Sequence, residues 1–552
     1  MRSIRWIVIG VLACNAIMFC GGLAAILLLP SPEQRGDDPN VLRVAYSPEK
    51  ETLFRALADG FNRSGSRFRV EAVKLDPEEL VEQATSGRLA AVSPDSAIWL
   101  DQIDRAWQAK NLDSAGLTSA LARYAVSPIV IAMWEPTARE FNYPQRQVGW
   151  VSVMDRALRD SGFRWSHPSS ASASGLLAVT AEFYAGAGSP PRLSVQDIQR
   201  PETLDYVRQI QRTVQQYGGE TEDQLAQRLL SGEGRNLDAF VVQEQFVVMF
   251  NSRSPADKLV AVYPAEGSLW LDHPLALLEG PWLTDPQRQA YRAFVDYLAR
   301  PEIGQLVLDE GYRPADLKVP IDERTSPIRR ENGVDPAQPF TSLVLPSTPV
   351  LERIRDSWAL LKRPANIYLI ADVSGSMQGD RLTRAREALL SFIDQIKDGR
   401  DRVGLATFST ATREQVGLDS LDKNRAALES AIRAMSASGN TALYDAIDFG
   451  VQRVGDLKEN DRINVVVVMT DGEENASRRD LVAGRGDPSR IIAAIQEHAR
   501  RSGTPVLVFT IAYGGEAELD VLRRIAESAN GQAYRSDPET IRKLYRTLSQ
   551  TF

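Results

Sequence analysis

The sequence predicts an α/β protein built from two successive units, and three observations carry that prediction. Strand-like runs such as "VLRVAY", "FRVEAVKL" and "RYAVSPIVIAMW" alternate with helical patterns such as "KETLFRALADGFNRS" and "PEELVEQATSG", the rhythm of βαβ units. A later stretch repeats the alternation with near-continuous apolar strands, "NIYLIA", "RVGLATF", "INVVVVMT" and "PVLVFTIA", as parallel strands covered on both faces require. The length, 552 residues, exceeds what one hydrophobic core holds. With 43% hydrophobic and 25% charged residues the composition is globular. A net charge of −8 leaves no basic surplus to neutralise phosphates, which argues against nucleic-acid binding.

Taken in order, the chain opens with Arg2 and Arg5 and then carries no charge from Trp6 to Pro32. That run exceeds the roughly 20 residues needed to cross a bilayer, and it is longer than the apolar core of about 7–15 residues in a cleaved signal. Residues 1–30 are therefore expected to form a retained transmembrane anchor. The arginines place the N-terminus in the cytoplasm and the remainder outside. Both cysteines, Cys14 and Cys20, fall in this segment, so the rest of the chain has neither disulfide nor thiol chemistry. Bulky Met18 and Phe19 precede Cys20 where a lipidation site would carry small residues. Residues 31–40 are polar and proline-bearing, as in a tether. A first unit follows over 41–317, then a Pro- and Ser-rich connection over 318–349. The second unit spans 350–552 and opens with the helical stretch "VLERIRDSWALLKRP".

The chemistry concentrates in three loops of the second unit. "NIYLIADVSGSMQGD" ends a buried strand in Asp372, with Ser374 and Ser376 at alternate positions after it; "SASGNTALYDA" places Thr441 before a helix; "VVVVMTDGEEN" ends another strand in Asp471. In an open α/β sheet, ligands sit outside the carboxyl ends of the strands. Two carboxylates and three hydroxyls suit a hard cation such as Mg²⁺, which takes six oxygens at about 2.0–2.1 Å and keeps some water. No His or Cys cluster accompanies the loops, which disfavours zinc. Each residue taken alone is more readily explained as a helix cap than as a ligand; it is the five together, in order, that favour a cation. Residues 360–552 thus resemble a von Willebrand factor type A domain, a doubly wound, Rossmann-like fold, and the loops resemble its metal-ion-dependent adhesion site. The resemblance implies Mg²⁺, or Mn²⁺ or Ca²⁺ in its place, held directly by the hydroxyls and often through water by the aspartates. It also implies a protein partner that offers an acidic side chain to the remaining position. Met377, Tyr444, Glu473 and Glu474 are expected at the rim, where they would tune selectivity.

The first unit resembles a bacterial extracellular solute-binding protein of the two-lobed type, the type II periplasmic binding fold, on the stretches "VAYSPEKETLFRALADGFN", "SPDSAIWL", "SPIVIAMW", "SHPSSASASGLLA" and "AVYPAEGSLWLDHPLALL". The resemblance implies crossings between lobes near Ala125–Ile131 and Val260–Glu266, with a ligand between them. Ser47, Ser93 and the run Ser169, Ser170, Ser172 and Ser174 are the candidate contacts for a small anionic solute at a helix start; capping explains them equally well. The three histidines, His167, His273 and His498, are widely separated, and no hydrolase or nucleotide-binding motif occurs. The expected function is an extracytoplasmic binding protein, not an enzyme. It would act by cation-dependent adhesion or, alternatively, as the solute receptor of a transport system.

Overall fold

A computed structural model of the chain describes residues 38–536, except 113, 161, 171, 216–220, 231–236, 254, 323–324, 397, 484–486 and 514–517. The expected anchor, 1–30, and most of the tether lie outside the described residues. Among those described, no helix is long and apolar enough to cross a membrane.

The first unit contains two sheets. In one, Val41–Tyr46 lies between the parallel strands Arg69–Lys74 and Ala91–Ser93, and Pro274–Leu278 joins Ala91–Ser93 to Thr118–Arg123 with antiparallel pairing. The helix Glu51–Arg63 covers this sheet because Leu53, Phe54, Leu57, Ala58 and Phe61 recur at helical spacing on its buried face. In the other sheet Ala125–Trp134 pairs with Ala239–Gln243, Leu259–Val262, Trp270–Leu271 and Arg313–Pro314. The chain crosses between sheets at Tyr124, where one strand ends at Arg123 and the next begins at Ala125. It returns at Asp272–His273, not near Val260–Glu266 as expected, because Trp270 and Leu271 are still paired with Pro128 and Ser127.

The described residues of 318–349 do not hang as a loose connection. They run along the second sheet: Ala261 N donates to Gly333 O at 2.8 Å, Ser268 N to Thr341 O at 3.0 Å, and Leu343 N to Ser268 O at 2.9 Å. Gly333 is needed here, since its φ is +77° and a Cβ would come within 2.1 Å of Leu259 O. The helix Thr348–Leu361 then buries Val350, Leu351, Ile354 and Leu361 in the same core as Leu176, Tyr184, Ile198 and Val207. Its polar side meets the helix Ile98–Gln108, through a Glu352–Arg105 ion pair and a 2.6 Å bond from Thr348 Oγ1 to Asp101 Oδ2. In packing terms the first unit therefore extends to Leu361, past the expected boundary at 317, because an apolar helix face is buried there.

The second unit is the doubly wound sheet the sequence predicts. Its strand order is Thr412–Ser420, Arg402–Phe408, Ala365–Asp372, Ile463–Thr470, Leu507–Tyr513 and Ala533–Ser536. Every pair is parallel except the first. Helices cover both faces, with Phe392, Leu428 and Met377 on one side and Ile447, Ile495 and Leu522 on the other.

Apart from Trp6, every tryptophan lies between Trp99 and Trp358 and none in the second unit's sheet, so the change in tryptophan fluorescence on unfolding follows the first unit. Ile354→Ala should lower the stability of that transition by about 2–5 kcal/mol. A urea titration followed by fluorescence checks this. An unchanged midpoint would mean that the helix Thr348–Leu361 does not belong to that core.

Candidate functional site

At the carboxyl edge of the second unit's sheet, strand register dictates the neighbours. Ala371 pairs with Met469, so Asp372 leaves its strand beside Thr470 and next to Asp471. Both aspartates are fully buried, as are Ser374 and Thr441, whereas Ser376 is exposed and marks the side open to solvent. Ser374 N donates to Asp372 Oδ1 at 2.7 Å and Thr470 Oγ1 to Oδ2 at 2.6 Å. Burial nevertheless dominates and pushes the Asp372 carboxyl up to about 6, with the Asp471 charge adding to it. Asp471 accepts from Ser376 Oγ at 2.7 Å and from Arg381 Nη1 at 2.8 Å, on different oxygens. Ser374 Oγ and Ser376 Oγ lie 3.0 Å apart.

Thr441 comes from the second loop. Its N–H donates to Asn475 Oδ1 at 2.8 Å, and Asn475 N donates back to Thr441 O at 3.0 Å. Gly439, at φ +86°, lets that loop pass Thr410, whose Oγ1 a Cβ would approach to 2.7 Å. Gly375 N then donates to Gly439 O at 3.0 Å, stitching the first and second loops together. A Cβ built on Gly472 would stand 3.3 Å from Thr441 Oγ1 and 3.7 Å from Ser376 Oγ, so both hydroxyls border the same small space. All five residues named by the sequence thus converge.

The donor set fits a hard divalent cation. Among the described residues no group of three or more His, Cys, Asp or Glu is placed to hold an ion. The site has two carboxylates completed by hydroxyls, an all-oxygen set of the kind Mg²⁺ accepts with water. The buried, partly uncompensated charge of Asp372 is what a cation would relieve.

Thr470, Arg381, Glu474 and Asn475 were not legible as parts of this framework. Thr470 gave the one available signal, a polar residue closing an apolar strand. Glu474 was expected at the rim, but its carboxylate turns inward, accepting from Tyr444 N at 2.9 Å at the start of the helix Leu443–Gly455 and from Ser477 Oγ at 2.7 Å. Met377 and Tyr444 are buried too, so neither can contact a partner. Glu473 is half-buried, and the exposed neighbours are Gln378, Asp380, Thr410 and Asn440.

In the first unit the hydroxyls of Ser47, Ser93, Ser172 and Ser174 are engaged internally. Ser47 Oγ accepts from Asp95 N at 3.1 Å, and Ser93 Oγ donates to Pro274 O at 2.8 Å while receiving Lys50 Nζ at 3.0 Å. Ser172 caps the helix Ala173–Gly186 by accepting from Gly175 N at 3.2 Å, and its own proton goes to Ser169 O at 2.8 Å. The carbonyls of Pro168 and Ser169 close over that helix start, within 2.4 and 2.0 Å of where a Gly175 Cβ would be. Ser174 is buried and bonds Glu222, and Ser169 and Ser170 are half-buried. The hydroxyls of Ser47, Ser93, Ser172 and Ser174 therefore form no open anion cradle, and the charged groups beside them are Asp95, Glu222 and Lys50. His167, His273 and His498 are all packed inside, far apart in sequence.

Residues 366–547 match the family described as von Willebrand factor type A domain, and residues 42–313 the family described as bacterial extracellular solute-binding protein. The chain carries both domains, one of a kind that mediates protein interactions and commonly binds a divalent metal, the other of a kind that binds small solutes. An uncharacterised protein of Synechocystis sp. is 29% identical over 191 residues, covering 34% of this chain and 42% of that protein. Inter-alpha-trypsin inhibitor heavy chain H1 of Sus scrofa is 28% identical over 183 residues, covering 32% and 19%. The chain spans less than half the length of these relatives. Among solved structures, a von Willebrand factor type A protein from Catenulispora acidiphila aligns with TM-score 0.29 at 22% identity, covering 34% of this chain and 43% of that one. The sulfate-binding protein of Mycobacterium tuberculosis H37Rv aligns with TM-score 0.37 at 16% identity, covering 50% and 88%.

A second buried cluster in the first unit makes its stability depend on pH. Glu182 is fully buried, accepts from Gln211 Nε2 at 2.6 Å, and is pushed by burial up to about 8 from 4.5. The folded state thus keeps a proton that the unfolded chain releases near 4.5. Stability from this group is fullest below that pH and is lost as pH rises towards about 8. Glu182→Gln should therefore gain on the wild type steadily between pH 5 and about 8, read by urea titration with tryptophan fluorescence. A constant difference would show that the carboxyl is already ionised when folded.

Proposed function

We propose that the chain is an extracytoplasmic binding protein, held at a membrane by residues 1–30, whose second unit captures a protein partner through a divalent cation. The observation that carries this reading is the pair of buried carboxylates, Asp372 and Asp471, faced by the hydroxyls of Ser374, Ser376 and Thr441 at one sheet edge. Mg²⁺ bound there, or Mn²⁺ or Ca²⁺, would offer an open coordination position to a partner's Asp or Glu oxygen. The chain's own residues prepare the site beforehand. Thr470 and the Ser374 N–H orient Asp372, while Arg381 holds the outer oxygen of Asp471 and leaves the other towards the hydroxyls. Asn475 holds the Thr441 loop, and the exposed Ser376 side is where a partner has access.

A second reading, the solute receptor of a transport system, draws on the two-sheet first unit and the cavity described below. The two readings are compatible, since each uses a different unit.

Capture of the partner should require Mg²⁺ and fail in EDTA, and Asp372→Ala should remove capture in Mg²⁺ as well. Surface plasmon resonance in the two buffers, on protein verified as folded by circular dichroism, measures both. Equal capture with and without the cation would discard the adhesion mechanism.

A further inference from the structure

Between the segment 48–53 of the first unit and its helices Glu222–Leu230 and Glu244–Ser252 lies a cavity of about 310 Å³, at the small end of the range for organic ligands. Its walls come from both lobes: Glu49, Lys50 and Glu51 from one, Glu222 and Asp223 from the other, with Glu310 and Tyr312 between. Five carboxylates line it against two bases, Lys50 and Arg253. The Lys50 ammonium is already committed, to Ser93 Oγ at 3.0 Å and Pro94 O at 2.6 Å. Glu51 is paired with Arg55 and Lys74.

What remains is an acid wall short of donors. Glu49 Oε2 is sealed from solvent and has no hydrogen-bond partner among the described residues; Asp95, which does not line the cavity but is buried at 1% exposure, has an Oδ2 in the same condition. Glu222 is 2% exposed and receives only Gln243 and Ser174. Burial pushes the carboxyls of Glu49, Asp95 and Glu222 upward; the charge of Asp95 adds to it at Glu49 and Glu222, and Lys50 opposes it at Asp95. A buried acceptor without a donor is costly, and an anion entering here would add to the repulsion. An ammonium group supplies both missing terms, hydrogen-bond donors and positive charge. A bare metal ion is a poorer match, because no three such ligands converge among the described residues and the space is larger than one ion.

We infer that this cavity takes a small organic amine, its ammonium group seated against Glu49 and Glu222, in place of the anionic solute the sequence suggests. The inference rests on the solute-binding reading of the first unit and names the ligand class for it. The test uses the full chain at pH 7.5 and constant ionic strength, with melting followed by tryptophan fluorescence. The probes are methylammonium, 1,4-diaminobutane and spermidine, set against sulfate and MgCl₂. At least one amine should raise the midpoint by mass action while sulfate and MgCl₂ leave it in place. Glu49→Gln and, separately, the more exposed Asp223→Asn should weaken that amine roughly tenfold or more for the first and less for the second, with folding checked by circular dichroism. A shift with sulfate and none with amines would overturn the ligand class and leave the solute-binding reading standing. No shift with any probe would overturn both. An amine shift unchanged in both variants would place the amine elsewhere and overturn the assignment to this cavity.

Discussion

Two carboxylates, Asp372 and Asp471, are taken out of water at the ends of hydrogen-bonded neighbouring strands, and much of the surrounding structure answers that burial. A buried carboxylate is tolerated only where donors meet it. Thr470 and the Ser374 N–H meet the first, Ser376 and Arg381 the second. The loops that bring those donors are tied to one another through Gly375 and Gly439, and through Thr441 and Asn475. Even so, Asp372 remains shifted towards its neutral form. The arrangement is therefore stable enough to fold and still short of positive charge, which is the condition for a site that gains by taking up a cation.

The two units are joined by more than a covalent link. The helix Thr348–Leu361 shares the core of the first unit, and only Lys362, Arg363 and Pro364 separate it from the strand that ends in Asp372. At that joint Arg400 Nη2 donates to Ala359 O at 3.2 Å, and Arg363 Nη2 donates to Arg462 O at 2.6 Å. These contacts hold the start of the strand, the end opposite the candidate cation site. The same strand therefore begins at the contact between the units and ends at the site, while the loops that form the site remain clear of the joint.

Much of the second unit could be read from sequence because its signals are local. "INVVVVMT" cannot be half-exposed, and Asp372, Ser374 and Ser376 need only a strand end and a glycine to face the same way. What escaped depends on long-range register. Thr470 reaches Asp372 across 98 positions and Arg381 reaches Asp471 across 90, so nothing near either residue announces the contact. The edge strand Thr412–Ser420 escaped because its burial is nearly all polar or partial, with only Val416 fully inside. The serines of the first unit show the reverse error. Their hydroxyls suggested an anion, but the role of a hydroxyl depends on what stands opposite, and here it is Asp95, Lys50 and Glu222. Glu49 and Lys50 sat unremarked in "YSPEK", since burial of a charged pair becomes visible only once the lobes are assembled.

The central claim is that Asp372 and Asp471 jointly hold one divalent cation. Calorimetric titration of Mn²⁺ into the full chain, beside Asp372→Asn and Asp471→Asn, tests it most directly, because isosteric amides keep the shape of the site and remove one charge each. The account predicts one ion per chain in the wild type at the affinity-determining step, and loss of that binding in each variant taken singly. Binding of equal affinity in either variant would contradict it.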